Sequence, residues 1–326
     1  MSVTTEGRGP VRSPFAVRPR IDARAGAILV LCCALWGLQQ VGIKLAAQEG
    51  IPPILQAALR SVGATVLLLG WAFARGQGRA LFARDGSFRA GLGLAGMFSA
   101  EFLLLYPGLQ LTTASRAVVI LYSAPFWVAV GVHLLVPGER LALRQVIGLL
   151  AAFAGVLCAV ADGLVTGGGR LSGDLLVAAA AAAWGLTTVA MKASPRLNHL
   201  SATKLLLYQL AGSIPVLFAF AWASGELHVG AATPAAWAWL GYQTVVVAFA
   251  SYLTWFWLIT RYPAGRLSAY TFLSPLFGIL AGVAILGEHA TPGLLLALVF
   301  VAVGIRLVNG RAPVPAAAPS PRQRQI

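Results

Sequence analysis

The chain has 326 residues, 58% of them hydrophobic and 10% charged, and a net charge of +14. A soluble domain carries about 25% charged residues, so this composition excludes an ordinary soluble fold and points to an all-α polytopic membrane protein. The excess of Lys and Arg lies in tails and turns between apolar runs, a topology signal, which removes nucleic acid as a partner.

Residues 1–24 form a basic tail rich in Arg and Pro, expected to be disordered. The first apolar run, 25–47, would be about 33 Å long as a helix, enough to cross a bilayer. It is longer than the apolar core of a cleavable signal and reads as a retained span. Gly, Pro, Arg and Asp then punctuate the chain into ten candidate spans, near 25–46, 53–74, 90–111, 114–136, 143–162, 174–193, 202–223, 236–259, 265–286 and 292–308. Only Thr112-Thr113 separates the third from the fourth, and the tenth is short. Residues 163–173, with Gly167-Gly168-Gly169, read as a linker between two halves, 25–162 and 174–308, and residues 309–326 as a second disordered tail.

Nineteen of the 24 Lys and Arg fall on one side of this topology. Both termini are therefore expected in the cytoplasm.

The halves repeat each other. Leu35-Trp36-Gly37-Leu38-Gln39-Gln40-Val41-Gly42-Ile43-Lys44 returns as Ala183-Trp184-Gly185-Leu186-Thr187-Thr188-Val189-Ala190-Met191-Lys192 at an offset of 148. Arg116 and Pro125 match Arg266 and Pro275 at offset 150. Gly138-Glu139 and Gly155 match Gly287-Glu288 and Gly304 at 149. Five spans per copy is an odd number, so the second copy is expected to enter the membrane upside down, the inverted repeat of a secondary transporter.

In their order, the repeated Trp-Gly…Lys span, the Pro125 and Pro275 spans and the Gly-Glu turns resemble the EamA-type family of the drug/metabolite transporter superfamily. The resemblance covers residues 25–308. It implies a ten-helix exporter or exchanger of small metabolites in the bacterial inner membrane, and it does not choose a substrate.

The polar residues within spans suggest a site. Trp36, Gln40 and Lys44 form one stripe on span one, and Trp184, Thr188 and Lys192 its match on span six. Such a stripe is costly against lipid and is expected to face the interior, the competing reading being lysines that snorkel to the interface. Glu101 lies near the middle of span three, where a carboxylate costs on the order of 2.5–3.5 kcal/mol. Its counterpart in span eight is Ser251, so the charge breaks the internal symmetry. Three roles fit it: recognition of a substrate amine, proton coupling, and a structural pair with Lys44, Arg60 or Arg116.

Span eight adds Tyr252 and Trp255, span nine Tyr270, and span four Tyr122. Hydrogen-bonding and aromatic groups at this depth suit a zwitterionic or aromatic substrate, and amino acids or related amphiphilic compounds, moved by alternating access, are the expected cargo. Pro125 and Pro275 read as bends that gate, or as static kinks. Glu139 and Glu288 read as dipole-offsetting residues of spans five and ten, and Asp174 as the cap of span six. Cys32, Cys33 and Cys158 read as small buried hydrophobes, and His133, His199 and His228 carry no functional assignment.

The substrate-lining set is thus Trp36, Gln40, Lys44, Glu101, Tyr122, Trp184, Thr188, Ser251, Tyr252, Trp255 and Tyr270, with Pro125 and Pro275 as gates. Small-molecule substrate, membrane lipid and, through Glu101, protons are the expected partners, with no metal or other cofactor. A membrane enzyme or a channel is the competing class. The chain has no His-Glu-x-x-His, no Gly-x-Ser-x-Gly, and no filter-like repeat of charge.

Overall fold

The computed structural model describes residues 20–161, 164, 169–287 and 293–310, and all regular structure among them is helical. The expectations for residues 1–19, 311–326, Gly167-Gly168 and Glu288 lie outside the described residues. Asp22 opens α1 (Ala23–Gln48) by accepting the Ala25 N–H at 2.8 Å, and Pro53 opens α2 (Pro53–Ala74). A short α3 (Gly78–Leu81) leads to α4 (Phe88–Leu111). Thr113 caps α5 (Ala114–Leu121), and after a break at Tyr122-Ser123 the chain resumes as α6 (Ala124–Leu135) and α7 (Leu143–Ala159).

The second half begins with α8 (Leu171–Ala193) and α9 (Ala202–Ala223). Then α10 (Pro234–Tyr242) passes through a π-helical stretch, Gln243–Ser251, into α11 (Tyr252–Arg261). Next, α12 (Ala264–Ser268) passes through a 3₁₀ turn, Ala269–Phe272, into α13 (Leu273–Leu286), and α14 (Gly293–Asn309) follows. Pro125 and Pro275 each stand at the start of a helical segment, behind that break and that 3₁₀ turn. Proline has no N–H to leave unpaired there. Residues 171–173, expected in the linker, belong to α8, and Asp174 lies in its first turn rather than at the cap.

Among the described residues eight helical stretches are long and apolar enough to cross a membrane, and α7 and α14 are shorter apolar helices. Leu134 and Leu295 are 71% and 74% exposed, side chains that suit a lipid contact. Helices are the form in which a backbone can cross lipid with its polar groups paired.

The start of α1 and the end of α14 share one end of the bundle, called here the terminal end. Arg144 at the start of α7 reaches the Arg306 carbonyl on α14 at 3.4 Å, and Tyr262 donates to Asp22 at 2.7 Å. Glycines set the helix seams. A Cβ on Gly148 would lie 2.7 Å from the Gly304 carbonyl oxygen, and one on Gly155 would lie 2.8 Å from that of Ala297. In the same way Gly37 meets Phe277 and Gly278, and Gly185 meets Trp127 and Val128. Each contact maps onto its mate under the 148–150 offset.

Candidate functional site

A cavity of about 210 Å³ lies inside the bundle, walled by α1, α2, α4, α5, α8, α9, the π-helical stretch and α11. Along α4 its lining runs through Phe98, Glu101, Phe102, Leu105, Tyr106 and Leu109, from mid-helix almost to the end opposite the termini. Toward the terminal end it stops at Met191 and Phe256. Both belong to an apolar cluster with Leu197, Leu200, Leu258, Ile259 and Tyr262. Below that floor Lys192 is paired with Glu139 at 3.3 Å and donates to the Tyr262 carbonyl at 2.8 Å, while Glu139 accepts the Ala264 N–H at 2.8 Å. Glu139, read from sequence as a local dipole partner, therefore ties the α6–α7 connection to the end of α8 and the start of α12.

Eight of the residues singled out from the sequence line this cavity: Trp36, Gln40, Glu101, Tyr122, Trp184, Thr188, Tyr252 and Trp255. Three lie elsewhere. Ser251 is buried behind Trp36, taking the indole Nε1–H at 2.9 Å and donating to the Val247 carbonyl at 2.7 Å. Lys44 is exposed at the far end of α1, off the cavity wall. Tyr270 packs toward the start of α1, with its hydroxyl against Gly26 and its carbonyl accepting from the Cys33 thiol at 3.2 Å.

The cavity contains one acid and one base. Arg60, on α2, is only 4% exposed, and its guanidinium carbon sits 5.2 Å over the Phe102 ring. It is the cation that faces Glu101, Tyr106 and Tyr252. Among the described residues Glu101 has no ion pair within 4 Å and no hydrogen bond, so its carboxyl is available to a ligand.

Aromatic rings form the walls. Trp36 meets Trp255 edge-on at 5.4 Å and Tyr252 at 6.3 Å, and Tyr122 meets Trp184 at 6.0 Å. Edge-to-face rings of this kind hold one another in place. Amides and threonine hydroxyls add further polar surface: Gln39, Gln40, Gln209, Gln243, Thr187 and Thr188. Gln243 is fixed by donating to Gln56 at 2.7 Å, and Gln56 donates in turn to the Ile51 carbonyl at 2.6 Å.

Sequence reasoning had not assigned Arg60, Gln209, Gln243, Phe98 or Phe102 to the lining. Arg60 carried a usable signal. It is an arginine eight residues into an apolar helix, too deep to be explained by topology alone. The aromatic residues carried none, since an aromatic at helical spacing reads equally as core.

The sequence profile of the EamA-like transporter family matches residues 24–161 and 171–310, one match to each half. "Uncharacterized transporter YvbV" of Bacillus subtilis (strain 168) is 32% identical over 184 residues, which span 56% of this chain and 58% of that protein. "Uncharacterized transporter YetK" of the same organism is 26% identical over 245 residues, spanning 74% of this chain and 73% of that one. A crystallised protein has the same fold with a TM-score of 0.72 at 19% identity, over 88% of this chain and 96% of the other. Two profile matches in tandem, apolar helices throughout and an internal cavity converge: the chain belongs to the EamA-like transporter family of the drug/metabolite transporter superfamily and is a membrane transporter.

Proposed function

We propose that the protein is a secondary carrier of small organic metabolites, amino acids or related amphiphilic compounds, which bind in the central cavity. The observation that carries this reading is the pairing of Glu101 and Arg60 in one cavity walled by aromatic rings and amides. A zwitterion offers each charge a partner, and an apolar or aromatic body suits the Trp36, Trp184 and Trp255 walls. The geometry favours substrate or proton handling by Glu101 over a closed structural pair, because no cation stands within ion-pair distance of it among the described residues.

In this reading α7 and α14 complete ten spans, arranged as two inverted five-helix repeats over 25–162 and 174–308. The exchange of glycine contacts under the repeat offset supports it. The carrier sits in the bacterial inner membrane with both termini cytoplasmic, and the repeats rock about the cavity, with the breaks at Pro125 and Pro275 as bending points. Family membership alone favours an exporter or exchanger.

The test is counterflow in proteoliposomes with a panel of amino acids, amines and carboxylates at two pH gradients. Saturable, trans-stimulated flux of zwitterionic compounds supports the reading. Non-saturating flux, or chemical conversion of the added compound, would replace it with a channel or an enzyme.

A further inference from the structure

The two halves place an arginine at matching positions, and its surroundings differ between them. Arg116 and Arg266 are each the third residue of a short helix, α5 and α12, and stand 150 residues apart. At the far end Arg116 is neutralised by Asp174, from the first turn of α8, whose Oδ1 also accepts the Thr112 hydroxyl at 2.6 Å. At the terminal end the corresponding contact is made by Tyr262, at offset 150 from Thr112, which donates to Asp22 at 2.7 Å just ahead of α1.

Arg266 does not share in that contact. Among the described residues no carboxylate lies within ion-pair reach of it, and its Nη1 is buried with no hydrogen-bond partner. Arg20 and Arg144 add like charge around it. The acidic group acting on it, Glu139, is already engaged by Lys192 and the Ala264 N–H. A buried donor without a partner is costly, and the like charges of Arg20 and Arg144, the latter also donating to the Arg306 carbonyl, leave Arg266 without a counter-charge unless an anion joins it.

We propose that Arg266, with Arg20 and Arg144, forms a phosphate-binding site at the terminal end of the bundle. Phosphate oxygens accept parallel hydrogen bonds from a guanidinium, which gives Arg266 at this end what Asp174 gives Arg116 at the other. The three arginines stand at or near the starts of α1, α12 and α7, the depth at which apolar spans give way to headgroups. The phosphate can be the phosphodiester of an anionic lipid or a free anion, and the two are separable by experiment.

The test is the thermal unfolding midpoint of the full-length protein in a neutral detergent, titrated separately with phosphatidylglycerol, phosphatidylcholine and inorganic phosphate. Phosphatidylglycerol is expected to raise the midpoint well above phosphatidylcholine, with Arg266→Gln weakening its apparent affinity by about tenfold. Arg79→Gln, a substitution of an exposed arginine in α3, is expected to leave it unchanged. A shift with inorganic phosphate that depends equally on Arg266 assigns the site to a soluble anion. If Arg266→Gln does not fold, Arg20→Gln and Arg144→Gln carry the same expectation. Equal shifts with both lipids and none with phosphate would overturn the proposal. So would an equal loss in Arg79→Gln, which would mean general charge attraction.

Discussion

Trp36 donates its indole N–H to Ser251 at 2.9 Å, and at the position matching Ser251 in the other half stands Glu101. Trp184, the counterpart of Trp36, lines the cavity together with Glu101, and no hydrogen bond joins them among the described residues. The Trp36–Ser251 pair across the halves is thus closed, and the matching pair, Trp184 and Glu101, presents an indole donor and a carboxyl to whatever enters. Ser251→Ala should cost about 1 kcal/mol, seen as a small fall in the unfolding midpoint, and leave transport close to wild type. Glu101→Gln should keep the fold and abolish flux or its pH dependence. Unchanged pH-dependent flux in Glu101→Gln would remove Glu101 from the mechanism.

Arg60 is held by burial, by the Phe102 ring and by the groups it faces. Loss of its guanidinium leaves a carboxylate-bearing substrate without its charge-assisted partner, worth roughly 1.5–3 kcal/mol. Arg60→Gln should therefore raise KM for zwitterions by at least tenfold and change KM for the corresponding amines little. Equal losses for both classes would assign Arg60 a structural role.

The Lys192–Glu139 pair is nearly sealed, with side chains 9% and 10% exposed. Removing one partner of a buried pair costs on the order of 3 kcal/mol, and here it also opens the floor under Met191. Lys192→Met should lower the unfolding midpoint and speed labelling of Met191→Cys by a thiol reagent added from the terminal side. Labelling at the unaltered rate would mean that the apolar cluster alone closes the floor.

Outside the spans, Asp85 accepts from Lys204 at 2.7 Å, and that ammonium, with the Ser87 hydroxyl, holds its carboxyl well below the usual range. A depressed folded-state pKa contributes stability that is fully present above the unfolded value of about 3.9 and is lost as pH falls through the lower folded value. Asp85→Asn should thus destabilise the protein at pH 7, with the gap to wild type narrowing as pH drops below about 4. Unfolding midpoints across that range check it, and a gap independent of pH would contradict it.

Much of this was legible before any coordinates, because the duplicated phrase named the two tryptophans and their polar neighbours at helical spacing. The departures have local causes. Lys44 is eight residues beyond Trp36, and a drift of about 40° per four-residue step carries it off the cavity face. Ser251 ends a π-helical stretch, which changes the phase and turns it toward Trp36 rather than the cavity. Tyr270 falls in a 3₁₀ turn, where the phase changes again. Arg60 was named only as a structural partner for Glu101, and its depth in α2 was the overlooked cue.

The central claim is that substrate occupies this cavity, and covalent blockade tests it most directly. With Cys32, Cys33 and Cys158 replaced by alanine, Thr188→Cys places one thiol on the cavity wall. A small thiol reagent should then arrest counterflow, and saturating substrate should slow the labelling. Full flux through labelled protein, or labelling indifferent to substrate, would contradict the account.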